Sequence, residues 1–384
     1  MFGLWTNIRN TTSVCWKMKN KQERIPVIDL LRGLSCLGVL LYHVRVDLWI
    51  GWWRIQNHPE EYSTFAKAMA WLSIPSPFLG YAILLFFLIS GFCIHYPNTS
   101  PYAKPCWKTY LVRRFWRIYP PYLVAVVFTA IISFCCFHFF GDKTWDIERV
   151  LRVATLTQNY PPSNGQFLSN PSLWTIPLEI EFYLLYPFAF YLYVKSKTRV
   201  LAFVAVGLSA WSVYLHDLGI TWLSFTSLLL WPSWLLGAWV ANLFARGKLS
   251  SFKSRYLVSA LVISLAVSLG SRLENSAQWF QYMAWTSFYF FFFIVCLSHS
   301  KLFHGKILSP ISIGLSWLGK ISFSLYLIHF PLFKLLGYLH LEIFKSKPEN
   351  FLVTILYVIP VIFFSWVFYL TIERPIHQWS KQGK

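Results

Sequence analysis

The sequence predicts an all-α protein, a polytopic transmembrane helix bundle of about ten spans with both termini in the cytoplasm. Three observations carry that reading. Of the 384 residues 56% are hydrophobic and only 13% are charged, and the mean hydropathy is +0.48, too apolar for a water-soluble domain of this size. The apolar residues gather into runs about as long as a bilayer is thick. Most of the 34 Lys and Arg residues fall in alternate connecting segments, the pattern that marks cytoplasmic loops. The net charge of +19 thus follows topology rather than a basic soluble face. The expected partner is the lipid bilayer and no nucleic acid.

The predicted spans lie at 28–48, 79–96, 119–140, 173–194, 199–216, 222–244, 256–271, 279–299, 317–340 and 351–371. Residues 1–24 are mixed and basic, without the apolar core and cleavage site of a removable leader, and read as a cytoplasmic segment. Residues 25–371 then form a single transmembrane domain, and 372–384 a cytoplasmic tail. The seven cysteines show no metal-ligand spacing and mostly lie in apolar runs, so neither a disulfide nor a metal is expected. Two outer loops are long, 49–78 and 141–172. They are rich in Trp, Pro, Asn and Tyr, as in Trp52-Trp53 and the run from Asn159 to Gly165. Such side chains suit sugar rings and equally populate any bilayer interface; both readings stay open.

The first apolar run, from Ile25 to Val46, keeps Asp29, Arg32 and His43. Ionisable groups within a span cost about 2.5–3.5 kcal/mol each by insertion scales, so they face the bundle interior and mark chemistry or transport. Arg32 and His43 stand close to three helical turns apart, roughly 16 Å along one face. His43 suits a general base, because a neutral imidazole accepts a proton from a hydroxyl. Asp29 can pair with Arg32 on the same face, either to offset its burial or as part of a binding site.

Further along, Phe86 to Phe92 carries Ser90-Gly91, small residues that admit close helix packing or a slender ligand, with Ser90 able to offer a hydrogen bond. Arg113, Arg114 and Arg117 form the densest cationic cluster. Arg113 reads as ordinary positive flanking. Arg114 and Arg117 share one helix face as a fork for the phosphates of a nucleotide-bearing cofactor. No Gly-rich phosphate loop is present to do that work. Within the fourth run lie Glu179 and Glu181; Glu179 is the inward candidate, at a depth comparable with His43, where it could orient the imidazole or contact an acceptor. In the ninth run His329 precedes Pro331 by two residues. It reads equally as a cap for the carbonyl that the proline frees and as a ligand contact. Glu373-Arg374-Pro375 closes the last run as a possible latch onto the basic cluster.

Taken together, Asp29 to Gly33 with His43, Phe86 to Phe92, Arg113 to Pro121, Trp174 to Tyr183, Ser322 to His329 and Glu373 to Pro375 resemble the acyltransferase 3 group of integral-membrane O-acyltransferases, bacterial enzymes that acylate surface glycans. The resemblance implies an acyl-CoA donor, usually acetyl-CoA, bound from the cytoplasm, and transfer to a hydroxyl of a glycan or glycolipid acceptor at the outer face. It implies His43 as the essential base, Arg32 as its partner and Arg114 with Arg117 as the paired arginines; the residues themselves add Glu179 as a catalytic candidate and Ser90, Asp29 and His329 as candidate donor contacts. It implies a multi-pass protein of the bacterial cell membrane, and a stand-alone member without a soluble esterase-like domain after the last span. Leu30 stands where a glycine is common, and Ile180-Glu181 replaces a usual Glu-Gln. A transporter or flippase for a lipid-linked glycan or anionic metabolite is the rival reading, with Arg32, His43 and Glu179 as substrate or proton sites; the paired broken helices common in transporters are not visible. Monomer and oligomer both stay open.

Overall fold

A computed structural model describes residues 25–100, 102–162, 169–300, 303 and 309–382. The expected segment 1–24 and part of the Asn159 to Gly165 run lie outside them. The described residues are helical with no strand, so backbone polar groups are satisfied within each segment, as lipid demands. Among them, nine helices are long and apolar enough to cross a membrane. The predicted fourth span forms as helix Thr175–Val194, but its two Glu, its Tyr residues and its prolines keep it out of that apolar set.

Two further boundaries differ from expectation. The third span is the end of a 34-residue helix, Trp107–Phe140, roughly 51 Å long against a hydrocarbon core of about 30 Å. Arg113, Arg114 and Arg117 are therefore part of that helix rather than its approach. The predicted ninth span divides at Ile321 into Ser309–Lys320 and Ser322–Phe344, where Ser322 Oγ caps the Gly319 carbonyl at 2.9 Å.

Glycine fixes the two tightest crossings. Helix Pro26–Asp47 meets Ser309–Lys320 so closely that a Cβ on Gly33 would overlap the Leu315 carbonyl, and one on Gly319 the Asp29 carbonyl. Helix Ile83–His95 meets Ser227–Ala245 in the same reciprocal way, Gly91 against Trp234 and Gly237 against Leu88. Packing thus accounts for Gly91.

Prolines inside helices leave carbonyls that other elements must satisfy. Pro331 deprives the Leu327 carbonyl of its partner, and the Asn170 side chain donates to it at 2.9 Å. Pro187 does the same to Tyr183, whose carbonyl accepts from the Tyr110 hydroxyl at 3.4 Å. The first of these ties the loop that ends at residue 172 to helix Ser322–Phe344. A second tie lies nearby, where Lys334 Nζ meets Asp142 Oδ2 at 2.5 Å with both side chains largely buried. Residues 49–78 fold into short helices around Trp49, Ile55, Tyr62, Ala66 and Ala70, which pack on Phe351 as a small separate core.

Candidate active site

Two polar groups of the first helix, Arg32 and His43, open onto adjoining cavities. Arg32 lines a narrow one of about 160 Å³ and His43 a larger one of about 790 Å³. Ile83 and Tyr326 line both, and so form the partition between them. Arg32 and His43 therefore share a helix and an interior orientation but not a chamber. The Tyr326 ring is fixed in place, because its hydroxyl donates to the Ser172 carbonyl at 2.5 Å and meets Thr175 Oγ1 at 2.6 Å.

The smaller cavity is cationic. Arg32, Arg114, Arg117 and Lys320 line it together with Glu179 and Glu373. Arg114 is held between two rings, its guanidinium carbon 5.4 Å from the Tyr183 centroid and 5.6 Å from that of Tyr110. Stacking of this kind keeps a guanidinium in place while leaving its N–H edge free for an anion. Its Nε is enclosed without a hydrogen-bond partner. Arg32 NH2 reaches Cys93 Sγ at 3.5 Å.

Several residues stand elsewhere than expected. Glu179 lines the arginine cavity rather than the His43 chamber. Ser90 Oγ donates to its carboxylate while accepting from Trp234 Nε1 at 3.1 Å. Ser90 and Glu179 thus form one wall of the cationic cavity, and neither reaches the imidazole. Glu181 turns away, accepting from Tyr160 Oη at 2.7 Å and the Ser227 amide at 2.6 Å. Residues two apart on a helix cannot face one way, so Glu179 inward requires Glu181 outward. Asp29 lines neither cavity. His329 lines neither and is fully buried. Its Nδ1 bonds the carbonyls of Leu325 and Tyr326 at 3.1 and 2.9 Å, while the carbonyl that Pro331 frees goes to Asn170. A donor contact from Asp29 or His329 is therefore not what the geometry offers.

Glu373 lines the cationic cavity with Arg114 and Arg117, so the end of the last run does meet the basic cluster. Its carboxylate accepts from the amide of Ser324 at 3.1 Å and from the Ser324 hydroxyl, and it ends a π-helical turn, Tyr369–Glu373. One extra residue per turn rotates the following segment, a device common where a side chain must be aimed at a site. Lys320 and Tyr110 were missed from sequence, and Tyr183 was visible only as the end of its run, because nothing in an apolar run distinguishes a tyrosine that stacks on an arginine from one at the interface.

The larger chamber has a different character. Tyr42, Tyr81, Trp174, Phe225, Tyr282 and Phe330 give it aromatic walls, Asn275, Gln278 and Gln281 supply amides, Arg272 is a cation, and no carboxylate lines it. His43 is the one imidazole among its lining residues. Aromatic faces beside amides suit the C–H faces and hydroxyls of a sugar. The smaller cavity can hold an anion and a slender chain, and the larger one a hydroxyl-bearing acceptor against a base.

Comparison with known proteins adds the following. Residues 25–370 match the family described as Acyltransferase domain. Acyltransferase MdmB of Streptomyces mycarofaciens is 30% identical over 196 residues, a match covering 50% of this chain and 46% of that protein. The chain thus matches about half the length of this curated relative. No solved structure matches.

Proposed function

The chain belongs to the acyltransferase 3 family, and from that premise we propose that it moves an acetyl group from acetyl-CoA, held at the arginine cavity, to a hydroxyl of a glycan or glycolipid in the His43 chamber. The observation that carries this reading is the pair of adjoining cavities, cationic on one side and containing an imidazole on the other, with only Ile83 and Tyr326 common to both. A CoA thioester is a polyanionic head on a slender arm. Its phosphates would pair with Arg114 and Arg117, and the arm would lie along Ser90 and Cys93 toward the partition.

Transfer then needs one base. His43 takes the acceptor's hydroxyl proton as that oxygen attacks the thioester carbon. The tetrahedral intermediate collapses with cleavage of the C–S bond, and the CoA thiolate leaves on the arginine-cavity side of the partition. His43 returns its proton to the thiolate or to solvent, and the acceptor leaves as an ester. Direct attack needs no acyl-enzyme intermediate. The orientation follows from the basic segments: both termini face the cytoplasm, the source of acyl-CoA, so the acceptor chamber opens outward in a bacterial plasma membrane.

Purified protein given labelled acetyl-CoA and a panel of glycan acceptors tests this. Labelled ester and free CoA should appear in equal amounts, and His43→Ala should abolish both. A protein that bound or moved the acceptor while leaving the thioester intact would instead be a carrier.

A further inference from the structure

His43 is half-buried, with its two ring nitrogens in different surroundings. Its Nδ1 is enclosed by protein without a hydrogen-bond partner, whereas the ring lines the acceptor chamber. For Nε2 to accept a proton from a substrate hydroxyl, the resident proton must sit on Nδ1. A buried Nδ1–H needs an acceptor, because leaving it unpaired costs about 1–3 kcal/mol.

His329 supplies one. Its own Nδ1 faces two carbonyl oxygens, which only accept, so Nδ1 carries the proton. Its Nε2 is then a bare lone pair, and it too is buried without a partner. The His43 and His329 ring centres are 5.1 Å apart. Two imidazoles joined by an N–H···N bond of about 2.9 Å have centres about 5 Å apart, so the spacing is already that of a bonded pair and a ring rotation closes it.

The other neighbours do not compete. Phe330, at 5.2 Å, has no acceptor, and Tyr42, at 5.0 Å, lies on the chamber wall. Asp47, one turn further along the helix, also has a buried carboxylate oxygen without a hydrogen-bond partner, but the charges acting on it are those of Lys347 and Lys334, while the ionisable neighbour acting on His43 is His329.

On the reading of His43 as the base, we infer that His329 is its positioning residue: a neutral imidazole, locked by the Leu325 and Tyr326 carbonyls, that accepts from His43 Nδ1–H and so turns the His43 Nε2 lone pair to the acceptor. The two carbonyls, His329, His43 and the substrate hydroxyl form a relay in which every donor has an acceptor. It does the work of a carboxylate orienter without a second charge in an apolar interior.

Two substitutions and one spectroscopic readout test it. His329→Leu keeps volume and removes both the lock and the acceptor. His329→Gln keeps an amide donor for the carbonyls and an oxygen for His43. The leucine variant should lose about 100-fold in kcat with KM for acetyl-CoA unchanged, and the glutamine variant should recover at least 10-fold of that. Equal losses in both, or a loss confined to KM, would overturn the assignment. Solid-state NMR of ¹⁵N-histidine protein, with His43 identified by its absence in His43→Ala, reads the tautomer without activity. His43 should be protonated at Nδ1 in the wild type and shift toward Nε2–H in His329→Leu. An Nε2–H His43 in the wild type would rule the relay out, even in a protein that transfers acetyl groups. A wild-type protein that shows the predicted tautomer but transfers no acetyl group would instead count against the acyltransfer reading alone.

Discussion

Gly33 and Gly319 face each other where helices Pro26–Asp47 and Ser309–Lys320 cross, and a Cβ on either would overlap a carbonyl of the opposite helix. The contact sits one residue after Arg32, which turns into the cationic cavity that Gly319 also lines. Backbone proximity at this crossing therefore sets how far the guanidinium reaches. Gly33→Ala should cost about 1–3 kcal/mol, the price of overpacking. Thermal unfolding in detergent would show this as a lowered midpoint, whereas Gly314→Ala on the neighbouring helix, where a Cβ meets open space, should not lower it.

Asn170 and Pro331 form a second testable pair. Asn170 Nδ2 supplies the hydrogen bond that Pro331 denies to the Leu327 carbonyl. Asn170→Leu should destabilise by about 1–3 kcal/mol, since a buried carbonyl loses its partner. Pro331→Ala restores an N–H within the helix, so the double variant should be less destabilised than the sum of the two single changes. Strict additivity in unfolding measurements would show that Asn170 acts through other contacts.

The Lys334–Asp142 ion pair makes stability depend on acid. Burial raises the Asp142 carboxyl, but the Lys334 ammonium and the Thr144 hydroxyl and amide more than offset this and hold it below the usual carboxylate range. A depressed native value stabilises the fold above the unfolded value of about 4, and that stability is lost as pH falls through the native value. Acidifying from pH 5 to pH 3 should therefore destabilise the wild type more than Asp142→Asn. Lys334→Met should cost about 3 kcal/mol at neutral pH, because it strands a buried carboxylate.

Cys93 reports on the arginine cavity. It lines that cavity beside Arg32, whereas Cys36, Cys136 and Cys296 are buried. Maleimide should inactivate the enzyme, CoA should protect against it, and Cys93→Ser should resist it while retaining activity. Inactivation that persists in Cys93→Ser would place the sensitive thiol outside the donor path.

The bundle was legible in the sequence because bilayer thickness imposes a length and lipid imposes apolarity, and both are one-dimensional. The Arg32 and His43 spacing was legible for a related reason: within one helix, periodicity fixes which residues share a face. What depends on the rotation of one helix against another was not legible. Nothing in the span from Thr175 to Val194 tells whether Glu179 faces His43 or the arginines, and the structure chooses the arginines. His329 was visible as a buried histidine but not as the neighbour of His43, a relation across 286 residues of chain. Glu373 was visible as a charge at a helix end, while the π-turn that it closes is a local change of helix pitch that no residue pattern marks.

The division of labour between the two cavities is tested most directly by measuring acetyl-CoA binding and acetyl transfer side by side in His43→Ala and in the double variant Arg114→Gln with Arg117→Gln. His43→Ala should bind acetyl-CoA with wild-type affinity and transfer nothing. The arginine variant should weaken binding by about 10- to 100-fold or more, the loss of charge-assisted hydrogen bonds. Wild-type affinity in the arginine variant, or transfer at the wild-type rate in His43→Ala, would contradict the account.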